Sequence, residues 1–349
     1  MSISVICGGQ FGSEGKGKVA YELARHESAS VIARVGGANS GHTVIDSLGR
    51  ERKFRMLPTA SILPNTICVI PPGAYIDIDV LQKEIAETGL DPDRLLIDPA
   101  AVIVSESCKA EEASSGMREA IGSTLSGTGA AVMARIRRDG KVHFAGSDVR
   151  LADYTRFRTT KFLRERLKHN ERILIEGTQG FGLSLLHGSD YPNVTSRDTS
   201  AAAFVSEAGL SPRDVDDIVM VTRAFPIRVE GNSGNLPREI DWEMVRHESG
   251  YAESIIERTT VTDKVRRVAR FDSRVVRDAI ACNAPARIVL NHLDYVDAEC
   301  RRTNALSDKA RVFLDQVECE IDASVDFLGF GPSQMVSSKP LKFSSAASA

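Results

Sequence analysis

Several things are missing from this chain of 349 residues. No stretch approaches the roughly 18 consecutive apolar residues that a membrane helix needs, so no membrane partner is expected. No cysteine pair has C-x-x-C spacing. Cys7, Cys68, Cys108, Cys282, Cys300 and Cys319 are scattered, which argues against a zinc site and for reduced thiols. Neither sign of charge is in large excess. The formal net charge is -3, so no global field draws nucleic acid, and basic clusters must be argued as local sites. The N-terminus runs into a strand without the basic n-region and apolar core of a signal peptide, which makes the cytoplasm the expected location. One absence lies inside a motif. Gly12, four residues, then Gly17-Lys18 fits the phosphate-loop spacing G-x-x-x-x-G-K. The Ser or Thr that would follow and reach Mg²⁺ is replaced by Val19.

What is present reads as an ordinary globular protein, with 42% hydrophobic and 26% charged residues. Six short runs rich in β-branched residues have the look of buried parallel strands: "ISVIC", "SVIARV", "TICVIP", "RILIEG", "DIVMVTRAF" and "ARIVLNHLD". Helical patterns over 17–26, 79–88, 108–121, 154–169 and 274–283 lie among them. Strand alternating with helix predicts an α/β fold. The sheet is doubly wound and mainly parallel, with helices on both faces and ligands at the carboxyl ends of its strands. No linker divides the chain. A single domain over 1–332 is expected, with 333–349, small and polar, as a C-terminal tail.

Five loops carry the chemistry. Gly8, Gly9, Gly12, Gly15 and Gly17 let backbone N–H groups turn inward on a polyanion, with Lys16 and Lys18 adding charge. "GGANSGHTV" brings Asn39, His42 and Thr43 to a second strand end, where a His can stabilise a phosphoryl group. "EGTQGFGLSL" offers Gln179, whose amide suits a purine edge, although a helix-capping turn reads equally well. "TTVTDKVRRVARFD" gathers Lys264, Arg266, Arg267 and Arg270, which can clamp a dicarboxylate or phosphate or form a solvated basic face. "LNHLD" resembles the guanine-reading N-K-x-D with His292 in place of the lysine. A plain strand-end turn is the alternative.

Together these motifs resemble the adenylosuccinate synthetase family. Its G-x-Q-[WF]-G-D-E-G-K-G-K appears as Gly8 to Lys18, and its N-A-G-H-T as Asn39 to Thr43. Its E-G-A-Q-G is Glu176 to Gly180, and its Y-P-x-V-T-S is Tyr191 to Ser196. Its T-T-G-R-x-R-R is matched over 261–267, and a late G-P pair is Gly331-Pro332. The resemblance runs from residue 3 to about 332 in a chain shorter than the usual bacterial member. It implies a ligase that phosphorylates the 6-oxygen of a purine monophosphate and lets the amine of L-aspartate displace the phosphate. It also implies roles. Ser13, Lys16, His42 and Gln179 stand in the catalytic positions. Gly12, Glu14, Gly15, Gly17, Lys18, Asn39, Thr43, Asp294, Gly331 and Pro332 hold the nucleoside triphosphate. Ser123, Thr124, Thr195 and, across a homodimer, Arg138 hold the monophosphate. Thr262, Lys264 and Arg266 hold aspartate, and Ser13 with the Gly41 carbonyl stands at the Mg²⁺ position.

The departures are as informative as the matches. The family's Asp in G-D-E-G-K, its general base and metal ligand, is Ser13 here. The phage branch, whose members make 2-aminoadenylosuccinate from dGMP, shows the same replacement, and a smaller Ser leaves room for a 2-amino group. His292, and Gly329 where the family often has Ser, imply relaxed guanine recognition and so ATP or dATP as donor. Three readings follow: a dGMP–aspartate ligase, an ordinary synthetase using IMP and GTP, and a nucleotide-dependent switch. The basic segment around 262–267 argues against the switch, which needs no aspartate clamp.

Overall fold

All six apolar runs become neighbouring strands. In the computed structural model, which describes residues 2–259 and 263–338, they lie in one sheet of nine strands. We label them in chain order: β1 Ser2–Gly8, β2 Val31–Arg34, β3 Ile67–Ile70, β4 Leu95–Ile97, β5 Arg172–Glu176, β6 Val215–Arg223, β7 Arg287–Asn291, β8 Phe327–Gly329 and β9 Met335–Ser337. Their spatial order is β9-β8-β7-β6-β1-β5-β2-β3-β4. Every pairing is parallel except β8 with β9, so the sheet is mainly parallel and continues past residue 332.

Both faces of the sheet are covered, as a parallel sheet requires. Along β1, Val5 packs into one apolar cluster with Val31, Ile175, Met220 and Leu290. Its neighbour Ile6 packs into the opposite cluster with Ile32, Leu174, Val221 and Val289. Each of these side chains is fully buried, worth about 1.5–3 kcal/mol for a Val, Ile or Leu.

The expected helices appear, with two shifted boundaries. The pattern over 108–121 is split into Glu106–Ser114 and Met117–Ile121. The break falls where Gly116 takes a left-handed φ of 69° and the Ser115 hydroxyl donates to the Glu112 carbonyl. The helix expected from Tyr154 begins at Thr159. Asp98, at the end of β4, accepts the Thr159 N–H at 2.9 Å and its hydroxyl at 3.0 Å, a tertiary contact that fixes the first turn. Because the strands run parallel, the segments after β1, β2, β5, β6, β7 and β8 all leave the same edge of the sheet. A ligand cleft belongs there, at the switch point beside β1. No helix among the described residues is long and apolar enough to cross a membrane.

Candidate active site

The loop after β1 is held open from within. Glu14 is fully buried. One carboxylate oxygen accepts the N–H groups of Gln10 (3.2 Å) and Gly12 (2.7 Å), and the other pairs with Lys16 Nζ at 2.6 Å. Glu14 therefore shapes the cradle, while Gly12, Ser13 and Lys16 line a cleft of about 770 Å³. Lys18 turns away from that cleft. Its buried ammonium donates to the carbonyls of Gly331 (3.0 Å) and Gln334 (3.2 Å), tying the loop to the turn after β8, and burial lowers its pKa to about 8. Gly15, at φ 91°, and Gly17 have no room for a side chain. A Cβ on Gly17 would lie 2.8 Å from the His42 Cβ. Pro332 is exposed on the turn beyond Gly331.

The second loop adds Asn39, Ser40, Gly41 and His42 to the same cleft. Arg34 and Glu176 are register partners on β2 and β5, both fully or nearly fully buried, and they pair at 2.7 Å. The His42 ring sits on this pair, Nδ1 lying 2.5 Å from Glu176 Oε1 and 2.8 Å from Arg34 Nη1. A carboxylate that close needs the proton on Nδ1, which leaves Nε2 as the free ring nitrogen. Burial first, and Arg34 second, push the ring's pKa down to about 4, so it is neutral near pH 7. Burial would raise the Glu176 carboxyl, yet Arg34 and His42 outweigh it and hold it below the usual range. Thr43 lies in the hairpin Glu51–Phe54 with His42–Ile45, opposite Lys53, and does not line the cleft.

Gln179 (φ 63°), Ser123, Thr124 and Thr195 also line the cleft, as do Lys264 and Arg266. Burial lowers the pKa of the Arg266 guanidinium. Thr262 lies outside the described residues. Arg138, exposed at the end of the helix Thr128–Arg137, does not line this cleft. Asp294 lies under the turn after β7, 2% exposed.

Four residues here escape a reading of the sequence. Arg223 ends β6, fully buried, and its guanidinium donates to the Ser13 carbonyl (2.9 Å) and to both oxygens of Glu257 (3.2 and 2.5 Å). Arg228 stacks over the Phe11 ring at 4.8 Å and donates to the Asn193 and Asn235 carbonyls. Glu112 accepts the N–H groups of Gly127, Gly129 and Ala130, fixing the loop that carries Ser123 and Thr124. Arg34 was the fourth. For Arg34 and Arg223 the signal is an Arg at the carboxyl end of a strand, directly after a mostly apolar run, since a buried charge must have a partner.

The cleft thus offers several cations, Lys16, Arg228, Lys264 and Arg266, and two hydroxyl-rich loops, which suits phosphate and carboxylate groups. The adenylosuccinate synthetase family model matches residues 5–153 and 144–299. The adenylosuccinate synthetase of Methanococcus maripaludis strain C6 is 35% identical over 342 residues, 95% of this chain and 97% of that protein. This chain belongs to the adenylosuccinate synthetase family. It is therefore a nucleotide-binding ligase of purine biosynthesis that forms a C–N bond. The adenylosuccinate synthetase of Archaeoglobus fulgidus is 33% identical over 95% of the chain. Among solved structures, the cyanophage S-2L succinoaminodeoxyadenylate synthetase (PurZ), bound to dGMP and dATP as an energy donor, superposes with a TM-score of 0.82. The identity is 30%, covering 97% of this chain and 96% of that one. A fully ligated adenylosuccinate synthetase from Plasmodium falciparum has a TM-score of 0.86 at 20% identity, covering 97% of this chain and 100% of that one, a likeness of fold.

The family's Mg²⁺ can be set against the residues present. Ser13 and Gly41 both line the cleft, and the buried Ser40 hydroxyl beside Gly41 has no partner among the described residues. Among the described residues no group of three or more His, Cys, Asp or Glu could hold a metal. Hard oxygen donors in small number fit an ion that takes most of its ligands from phosphates and water.

Proposed function

We propose that the chain condenses dGMP with L-aspartate, driven by ATP or dATP, to give 2-amino-2'-deoxyadenylosuccinate for 2-aminoadenine synthesis and phage DNA. The observation that carries this reading is Ser13. It occupies a left-handed cradle position (φ 57°) in the cleft wall, with a short hydroxyl where a carboxylate would reach the purine. The phage enzyme that shares 30% identity with this chain is bound to dGMP and dATP. Its substrates come to this chain as part of the proposal.

In this reading the donor's terminal phosphoryl group passes to the purine 6-oxygen. The donor P–O bond breaks as the O6–P bond forms, and the purine N1 proton leaves to water or a phosphate oxygen, since the Ser13 hydroxyl is no base near pH 7. Gly12, Gly15, Gly17, Lys16 and Asn39 hold the two polyanions face to face, converting a meeting of two anions into a positioned transfer. His42 is oriented by Glu176, and once Nε2 takes a proton from solvent it donates that N–H to a phosphoryl oxygen and stabilises the developing charge. Gln179 reads the purine. Ser123, Thr124 and Thr195 hold the monophosphate, completed by Arg138 of a second copy. Exposed Met133 and Ile136, on the helix that ends before Arg138, give that copy an apolar face to cover. Thr262, Lys264 and Arg266 hold both carboxylates of aspartate, whose amine attacks C6 as phosphate leaves. Asp294, Gly331 and Pro332 frame the donor base. Ser13 and the Gly41 carbonyl would hold Mg²⁺, which would supply neutralisation of phosphate charge.

The competing reading is an ordinary synthetase using IMP and GTP. The 35% identity to an archaeal adenylosuccinate synthetase favours it. The test crosses IMP, GMP and dGMP with ATP, dATP and GTP in the presence of aspartate and Mg²⁺, with products identified by mass. Turnover of dGMP well above IMP is expected. A preference for IMP would replace this reading with the ordinary one.

A further inference from the structure

We infer that the protein carries a second small-molecule site, between the helices Trp242–Ser249 and Asp308–Ile321, which takes an aminopurine nucleotide. The cavity there measures about 590 Å³ and shares no lining residue with the active-site cleft. Sites for small molecules commonly enclose about 300–1,000 Å³. The inference does not depend on which monophosphate the cleft turns over.

The helix Asp308–Ile321 gives the cavity its long wall. Lys309, Phe313, Gln316 and Glu320 line it and recur at helical spacing, so they share one face. Lys309 and Glu320 stand about 16 Å apart along the helix, at 1.5 Å per residue. The wall changes character over that length. Its Lys309 end is cationic. Arg270 pairs with both oxygens of Glu248, at 2.9 and 2.5 Å, which neutralises it. Lys309 donates to the Glu248 carbonyl, and Arg238 to the Phe271 carbonyl at 2.8 Å. Neither of these two cations forms an ion pair among the described residues. In the middle, Phe271 and Phe313 meet edge to face with centroids 6.3 Å apart, and Phe225 and Val317 extend the apolar slot. Phe225, Phe271 and Val317 are buried, but Phe313 is only half-buried and Val312 is 69% exposed, so apolar surface is open at the mouth. At the far end stands the carboxylate of Glu320, which accepts the Gln316 amide at 2.8 Å.

A ligand matching this order has an anion at one end, a flat ring in the middle and an N–H donor at the other. Two cations without carboxylate partners match a phosphate monoester, which carries about −1.5 to −2 charge near pH 7, better than a carboxylate. A slot walled by phenyl rings takes an aromatic base by offset stacking and edge contacts. A carboxylate accepts only, so the Glu320 end suits an exocyclic amino group. An aminopurine nucleotide brings all three features. A sugar phosphate or a nucleoside brings only part of them.

The test is calorimetric titration of AMP into the native protein, Lys309→Glu and Val312→Glu. Both positions are exposed and lie outside the cleft, so any AMP bound in the cleft is common to all three proteins. The native protein is expected to show a binding event that weakens by at least roughly tenfold in each variant. Adenosine, which lacks the phosphate, and ribose 5-phosphate, which lacks the base, are expected to bind alike in native and variant proteins. AMP isotherms that coincide in the native protein and both folded variants overturn the inference. So does ribose 5-phosphate binding that Lys309→Glu weakens as much as AMP binding, because that result describes an anion site with no place for a base.

Discussion

His42 Nδ1 lies 2.5 Å from Glu176 Oε1, between two strands whose ends are brought together only by the parallel register of β2 and β5. A loop histidine is thereby made into a fixed, oriented ring with one nitrogen free. The His42→Ala variant is expected to lose roughly 10²-fold or more in turnover, and some stability as well, since it removes a partner of the buried Glu176. Single-turnover kinetics and a thermal melt together check this. Near-normal turnover would remove His42 from the chemistry.

The same environment sets a pH dependence of stability. The folded pKa of His42 is about 4, below its unfolded value near 6.5. As pH falls through that window the unfolded ring takes up a proton that the folded ring refuses, so stability is lost between about 6.5 and 4 and levels below. Burial depresses His292 in the same direction. Denaturant melts from pH 7.5 to 4 should show a shallower decline in His42→Gln than in the native chain, though not a flat one. Identical slopes would mean that His42 is not the neutral, buried group described.

Ser13→Asp should change substrate preference as well as rate. In the proposed reading a carboxylate at 13 would restore a base beside the purine N1 and add charge near position 2. The ratio of kcat/KM for dGMP over IMP is expected to fall by at least roughly tenfold, about 1.4 kcal/mol of differential transition-state binding. An unchanged ratio would move specificity elsewhere, Gln179 being the next residue to replace.

Arg138 tests the shared site. A mixture of Arg138→Ala chains with chains disabled at Lys16 should recover part of the native activity, because one site of each mixed dimer keeps both residues. Mixed dimers that form, by mass or fluorescence, yet stay inactive would place Arg138 in its own subunit's site or in none.

Arg223 is fully buried, and burial alone would lower its pKa. Glu257 reverses the sign and is itself held down at about 2 through Arg223. Arg223→Met strands that carboxylate and also frees the Ser13 carbonyl, which should cost about 3 kcal/mol of stability and most of the activity. Adding Glu257→Gln should return part of the stability but not the activity, because the hydrogen bond to Ser13 stays lost. Strictly additive losses in the double variant would show that the two residues do not act as a pair.

The sequence by itself determined the sheet and the polyanion loop. Runs such as "RILIEG" and "ARIVLNHLD" are apolar on both faces, and that pattern has few uses besides a parallel strand covered on each side. Glycines at 12, 15 and 17 bind the backbone to a shape that other residues cannot take. Strands of two or three residues, such as Leu95–Ile97 and Met335–Ser337, were beyond it, because so few positions carry no period. The partnerships inside the site were beyond it as well. Arg34 meets Glu176 across 142 residues, Arg223 reaches Ser13 across 210, and Tyr251 reaches Asp294 across 43. Local patterning states that such a charge or hydroxyl is present. Only the register of the strands and the packing of the turns decide which buried group it must satisfy, since that pairing depends on distance in space and not along the chain.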